Sequence, residues 1–220
     1  MTRLLDLGID RIRNLIMDMS EISERSVITA IESYEKGSSV KKTIFNWSEQ
    51  LRVLQDEVSD LAIELIARYQ PVATDLRFIR SCMEIAYGFS RFGRYAYDIV
   101  DVLETMGSVG ECDKSAVLEM SSTAREMIRM SVLALRSKDK DAAQQLYKMD
   151  DTVDALYRKY LREALTPPHS TANKDKRFVD PRCYISALLI LRYLERIADH
   201  ACYIADSVHY IVTGESSPRR

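Results

Sequence analysis

Asp150 and Asp154 stand four residues apart, and Glu195 and Asp199 repeat the arrangement later in the chain. Residues at i and i+4 share one face of a helix, so each pair presents two carboxylates side by side. If the two helices are neighbours and the pairs face each other, four negative charges gather within several ångströms. Like charges ~5 Å apart repel by roughly 3 kcal/mol per pair at an effective dielectric near 20, so such a cluster calls for a counter-charge. Hard carboxylate oxygens suit Mg, Ca, Mn or an iron ion, and a lone zinc less naturally. The plain alternative is a solvated helix face, where acids four apart are common and hold nothing.

The elements that must position these acids are legible from breakers and periodicity. Gly37 ends a first helical segment and Gln70-Pro71 a second; Gly107 and Gly110 flank the end of a third. A shorter fourth and fifth follow, then a loop from Thr166-Pro167-Pro168 to about Asp180, and Gly214 closes a sixth. In the third segment the apolar stripe runs Phe78, Cys82, Ile85, Phe89, Phe92, Ala96, Ile99 and Leu103. Adding 105 to each gives the stripe of the sixth: Cys183, Ala187, Ile190, Leu194, Ile197, Ala201, Ile204 and Val208. The first and fourth segments match at the same offset, with Ser26-Val27 falling on Ser131-Val132, and the second and fifth match at 102. Three pairs in order at nearly one offset indicate a tandem repeat. The expected fold is all-α: two antiparallel three-helix bundles, residues 1–110 and 111–214, with a flexible tail at 215–220. A helix of about 33 residues would span on the order of 50 Å. Set against the core stripe, the four acids fall on the flank of their helices and should face a surface groove.

The two copies disagree at the acids. Positions matching Asp150, Asp154, Glu195 and Asp199 in the first copy are Ser48, Arg52, Ser90 and Arg94. Four carboxylates become two hydroxyls and two guanidiniums, which repel a cation. Either Arg52 and Arg94 pair with nearby acids such as Glu49 or Asp98, or the four residues accept an anion, phosphate being the natural candidate for Arg geometry.

Composition narrows the function classes. A balance of 31 Lys+Arg against 33 Asp+Glu, net −2, argues against a nucleic-acid binder. The longest apolar run, Tyr184 to Leu191, is too short to span a membrane, and the opening MTRLLDLGID reads as neither signal peptide nor anchor. Cys82, Cys112, Cys183 and Cys202 show no CxxC spacing and are expected to be reduced thiols in a cytosolic protein. There is no GxxxxGK[ST], GxGxxG, nucleophile elbow or ExxH, so catalysis, including that of a carboxylate-bridged di-metal enzyme, is disfavoured. A metal-free helical scaffold remains the other alternative.

Three stretches carry a resemblance. Leu194-Glu195-Arg196-Ile197-Ala198-Asp199-His200-Ala201 resembles the LERIGDHA-type signature of PhoU proteins, regulators of phosphate uptake. Gln70-Pro71-Val72-Ala73-Thr74-Asp75-Leu76-Arg77 is similar to that family's QPxAxDLR segment, and Met149 to Tyr157 to its DDxVDxLY helix. The resemblance implies a cytosolic, non-enzymatic negative regulator, found as a homodimer or higher oligomer. It would contact the phosphate transporter's ATPase subunit and/or a phosphate-sensing kinase, without direct contact to nucleic acid. It also implies iron or zinc held by Asp150, Asp154, Glu195 and Asp199, at one site per chain because the first copy departs at all four positions.

Among other residues, His200 points about 100° away from Asp199 and is read as packed or solvated. His169 and His209 lack a partner motif. Phe89 and Phe92 belong to the core, whereas Tyr95 and Tyr97 fall off the stripe and are candidates for a partner surface. Lys41-Lys42, Arg91, Arg94, Lys174 to Arg177 and Arg219-Arg220 are scattered, solvated basic residues.

Overall fold

The structure is a computed structural model and describes residues 4–107, 112–165 and 181–217. Among these described residues run six helices: α1 Leu4–Lys36, α2 Lys41–Tyr69, α3 Ala73–Met106, α4 Ser115–Ser137, α5 Ala142–Leu165 and α6 Pro181–Thr213. Their ends follow the breakers. Gly37, Gly107 and Gly214 take positive φ and close α1, α3 and α6, each donating its N–H to a carbonyl four residues back. At the α2–α3 corner, Gln70 and Ala73 both sit in the left-handed region, on either side of Pro71-Val72.

The stripes read from sequence are the core. Ile12, Met19, Ile44, Leu51, Phe89, Phe92, Met120, Leu146, Leu194 and Ile197 are all fully buried. Ser26 and Ser131, equivalent in the repeat, are buried too, and each donates its hydroxyl to a carbonyl of its own helix at 2.7 Å. That local bond lets a polar side chain enter an apolar interface without an orphaned donor.

α1, α2 and α3 pack as one bundle, and α4, α5 and α6 as the other. The two join mainly along α3 and α6, with α1 touching α4 and with α2 and α5 outermost. α3 and α6 run antiparallel: Tyr95 stacks on Tyr193, Glu84 accepts a bond from Ser207, and Arg80 lies over Tyr210. The repeat offset carries Tyr95 onto His200 and Gly88 onto Tyr193, so the Tyr95–Tyr193 contact is the image of the approach of Gly88 to α6. A Cβ at Gly88 would lie 3.0 Å from Ile204. Gly93 does the same for α2, where a Cβ would stand 2.4 Å from a methyl of buried Leu51.

Gly93→Ala gains roughly 1 kcal/mol of helix propensity but drives a methyl into a packed seam, an overlap that typically costs about 1–3 kcal/mol. With Ser48 Cα only 3.4 Å from the new atom, the helices have little room to yield. The expected net result is a loss of about 1 kcal/mol in urea unfolding; a gain would show that the α2–α3 seam is loose.

Two readings are corrected here. The four cysteines are not all thiols: Cys112, just before α4, and Cys183, in the first turn of α6, form a disulfide with Cα atoms 5.3 Å apart. No local spacing announces a pair 71 residues apart. Tyr95 does not lie on an outer surface, whereas Tyr97 is half-buried. Tyr95 is buried against Tyr193 and His200, and Tyr97 packs edge-on to Phe45 beneath Lys41 and Arg94. Tyr95 is covered because α3 borders the neighbouring bundle as well as its own.

Candidate functional site

α5 and α6 pack side by side and bring the two acid pairs to one seam. A groove of about 870 Å³ opens over it, crossing from α5 over α6 to α3. Asp150, Asp154 and Asp199 line it; Glu195, one turn before Asp199 on α6, lies beyond its lining. Asp150 is only 7% exposed, deeper than a flank position implies, because α6 closes over it. Burial pushes the carboxyls of Asp199 and Glu195 above the ordinary range. Asp154, across the seam, raises Asp199 further, and Asp199 in turn raises Glu195.

The counter-charge that the cluster requires comes from arginines on the same helices. Arg158 holds Asp154 at 2.6 Å, Arg196 holds Asp199 at 3.2 Å, and Arg192 pairs with Glu195 while lying over the Tyr157 ring. Each arginine is three or four residues from its acid, the spacing that makes helical neighbours. Among the described residues, no three His, Cys, Asp or Glu side chains converge closely enough to hold a metal ion as they stand. The donor chemistry nevertheless suits a hard cation: three carboxylates face one solvent-open groove and the fourth is a turn away. Ligation requires the arginines to swing out.

In the first copy, Arg52 bonds Glu49 at 3.2 Å and Asp56 at 3.3 Å, and Arg94 bonds Asp98 at 3.1 Å. Ser48 and Ser90 are half-buried beside them. Both guanidiniums are thus satisfied within their own helices.

His200 lines the same groove and sits in a cage of Tyr87, Tyr95 and Tyr203, with ring centroids 5.5–5.9 Å away. Burial pulls its imidazole down to about 4, and Arg91 and Arg196 push the same way. His209 donates Nδ1–H to the Lys140 carbonyl at 2.8 Å, and His169 and Lys174 to Arg177 lie outside the described residues. Sequence reasoning missed the rest of the groove: Tyr87, Tyr147, Tyr203, Asp206 and the Arg80–Glu84 ion pair. A signal existed, since Tyr203 and Asp206 follow Asp199 at four and seven residues and so share its face. Asp206 accepts the Tyr147 hydroxyl, which also meets Ser217 at 3.1 Å and so ties residues after α6 to α5.

The caged histidine gives a pH prediction. An unfolded-chain histidine titrates near 6.5, so the fold favours the neutral ring. Its contribution is whole above about pH 6.5 and is lost as pH falls toward 4, a swing of about 3 kcal/mol. Asp199 and Glu195, raised by burial, run the opposite way: what they contribute is present at low pH and lost as pH rises through their folded values. Comparing wild type with His200→Gln cancels those acids. The variant's stability, from urea melts, is expected to fall less between pH 6.5 and 4; parallel decline would show that the ring is not buried as the neutral form.

Residues 16–103 and 117–208 each match the PhoU-domain family model. A phosphate-specific transport system accessory protein PhoU homolog of Clostridium acetobutylicum is 28% identical over 221 residues, covering 98% of this chain and 97% of its own. A homolog in Methanothermobacter thermautotrophicus is 29% identical over 215 residues, covering 93% and 94%. The crystal structure of PhoU from Pseudomonas aeruginosa superimposes with a TM-score of 0.76 at 25% identity, covering 96% of this chain and 99% of that one. The phosphate transport system regulatory protein PhoU from Streptococcus pneumoniae shares the fold, with a TM-score of 0.83 at 18% identity over 98% of this chain and 100% of its own. Matched once in each half of a duplicated helical fold, the chain belongs to the PhoU family.

Proposed function

We propose that this protein is a cytosolic, non-enzymatic negative regulator of high-affinity phosphate uptake. It acts by protein contact, with the transporter's ATPase subunit and/or a phosphate-sensing kinase, and works as a homodimer or higher oligomer. The observation that carries the reading is the double family match, one per repeat, together with accessory proteins of phosphate-specific transport among the relatives. Among the described residues no helix is long and apolar enough to cross a membrane, in keeping with a partner that meets the transporter from outside the bilayer.

The second repeat is proposed to carry one metal site, with Asp150, Asp154, Glu195 and Asp199 as ligands and iron or zinc as the ion; Mg, Mn and Ca share the preference for oxygen donors. Bound there, the cation neutralises the acid seam and fixes α5 against α6. Arg158 and Arg196 are themselves solvent-exposed at 66% and 44%, so each turns out into water while the cation takes its place on the carboxylate. The absence of three convergent ligands among the described residues favours one competing reading, a scaffold that binds no metal.

Co-purification from phosphate-rich and phosphate-starved cells tests the regulator. Capture of the ATPase subunit or a sensor kinase that changes with phosphate supports it; identical partners in both conditions, none from either system, sink it. Elemental analysis of protein purified without chelator separates metal site from scaffold: less than one equivalent of any transition metal favours the scaffold.

A further inference from the structure

The disulfide lies outside the acid seam and outside everything proposed above. It joins two helix starts, the residue three before Ser115 of α4 and the first turn of α6, and so ties together one end of the second bundle. The matching end of the first copy has no covalent link. The repeat offset places Leu7 and Phe78 at the matching positions of the first copy, an exposed leucine and a partly buried phenylalanine, and the first bundle closes without sulfur. The cysteine pair is present in one copy only.

We propose that Cys112 and Cys183 form a reversible thiol–disulfide exchange site, with a low-molecular-weight thiol such as glutathione as its redox partner. The two sulfurs are unequal in the way exchange requires. Cys112 is half-exposed, whereas Cys183 is 9% exposed, so an incoming thiolate reaches Cys112 Sγ first. Attack there forms a mixed disulfide on Cys112 and breaks the Cys112–Cys183 bond, and Cys183 departs as a thiolate. The leaving sulfur sits in the first turn of a 33-residue helix, where unsatisfied N–H groups and the helix dipole stabilise negative charge. A second thiolate then displaces the mixed disulfide and frees Cys112. In sum, one protein disulfide and two small thiols become two protein thiols and one small disulfide, a two-electron exchange; oxidation by the small disulfide runs the same steps backwards. Opening the bond leaves the α6 start held by noncovalent contacts such as the stacking of Tyr184 on Tyr160. The other two cysteines take no part: Cys82 is buried and its thiol is pushed up to about 12, and Cys202 is buried.

The test equilibrates the full-length protein in a series of glutathione and glutathione-disulfide buffers, then acid-quenches, alkylates and maps peptides by mass spectrometry. The expected result is a linked Cys112–Cys183 peptide at the oxidising end, two alkylated thiols at the reducing end, and a midpoint within the series. Hydrogen exchange over Cys183 to Ile190 is expected to quicken on reduction. Cys183→Ser should capture one glutathione at Cys112, and Cys112→Ser should take up far less at Cys183. A linkage that never forms at the oxidising end overturns the proposal. So does one that survives every buffer until the protein is denatured, which marks a permanent cross-link. Unchanged hydrogen exchange removes the claim that opening loosens α6. The wild-type titration decides the matter even if a variant fails to fold.

Discussion

The double substitution Asp154→Asn, Asp199→Asn is expected to weaken Fe(II) or Zn(II) binding by at least ~100-fold while leaving far-UV circular dichroism unchanged. Losing outer-shell partners alone typically costs about 10–100-fold in metal affinity, and this change removes two proposed ligands outright. The two aspartates stand on opposite sides of the α5–α6 seam and line one groove, near enough that Asp154 is among the charges that raise Asp199. Their loss therefore removes a bridge between helices, not two donors from one side. The helices should survive because each carboxylate holds only a partly exposed arginine, and such ion pairs contribute little. The Asp199→Asn change also avoids burying a charge, so the metal-free variant should be no less stable than wild type at neutral pH. Isothermal titration with each metal, alongside circular dichroism, reads both halves. Wild-type affinity in the variant would mean the ion is held elsewhere. Collapse of helicity would mean these side chains support the core.

How much of this could be read from the residues divides along a physical line. Periodicity reports which face of a helix a residue occupies, so spacing alone places Ile12, Met19, Phe89, Phe92 and Leu194 in the core. The duplication follows because two copies of one bundle must repeat their faces. Depth is a different quantity, set by how closely a neighbour approaches. Asp150 and Tyr95 read as flank positions and are buried, since α6 lies over the first and the second bundle meets α3 at the other. Gly88 is the residue that permits the latter approach, and a lone glycine inside a helix is ambiguous until its neighbour is known. The disulfide is illegible for the same reason: it depends on two helix starts meeting in space. The arginines that neutralise the acids are legible in principle, at three and four residues, but the spacing does not say whether they or a cation hold the carboxylates.

Phe92→Ala is expected to cost about 3–5 kcal/mol, the usual range for truncating a buried aromatic ring. Phe92 is fully buried in α3 and meets Phe89 edge-on, with centroids 6.0 Å apart. α3 packs on both helices of its own bundle and on α6 of the other, so a cavity there loosens the junction as well as one core. For a chain of this size each kcal/mol shifts the melting temperature by about 2–4 °C, giving a fall on the order of 10 °C. Total stability of about 5–15 kcal/mol leaves little margin after such a loss. Phe45→Ala serves as the control, because that ring is 47% exposed and its truncation should stay within roughly 1 kcal/mol. The repeat supplies a further comparison, since Ile197 occupies the matching position in α6 and is equally buried. Ile197→Ala should cost less, about 2–4 kcal/mol, because fewer atoms are removed. Equal losses for Phe92→Ala and Phe45→Ala in thermal melts would show that the first bundle relaxes around the hole, and that its core does not fix the α3–α6 junction against which the acid seam is built.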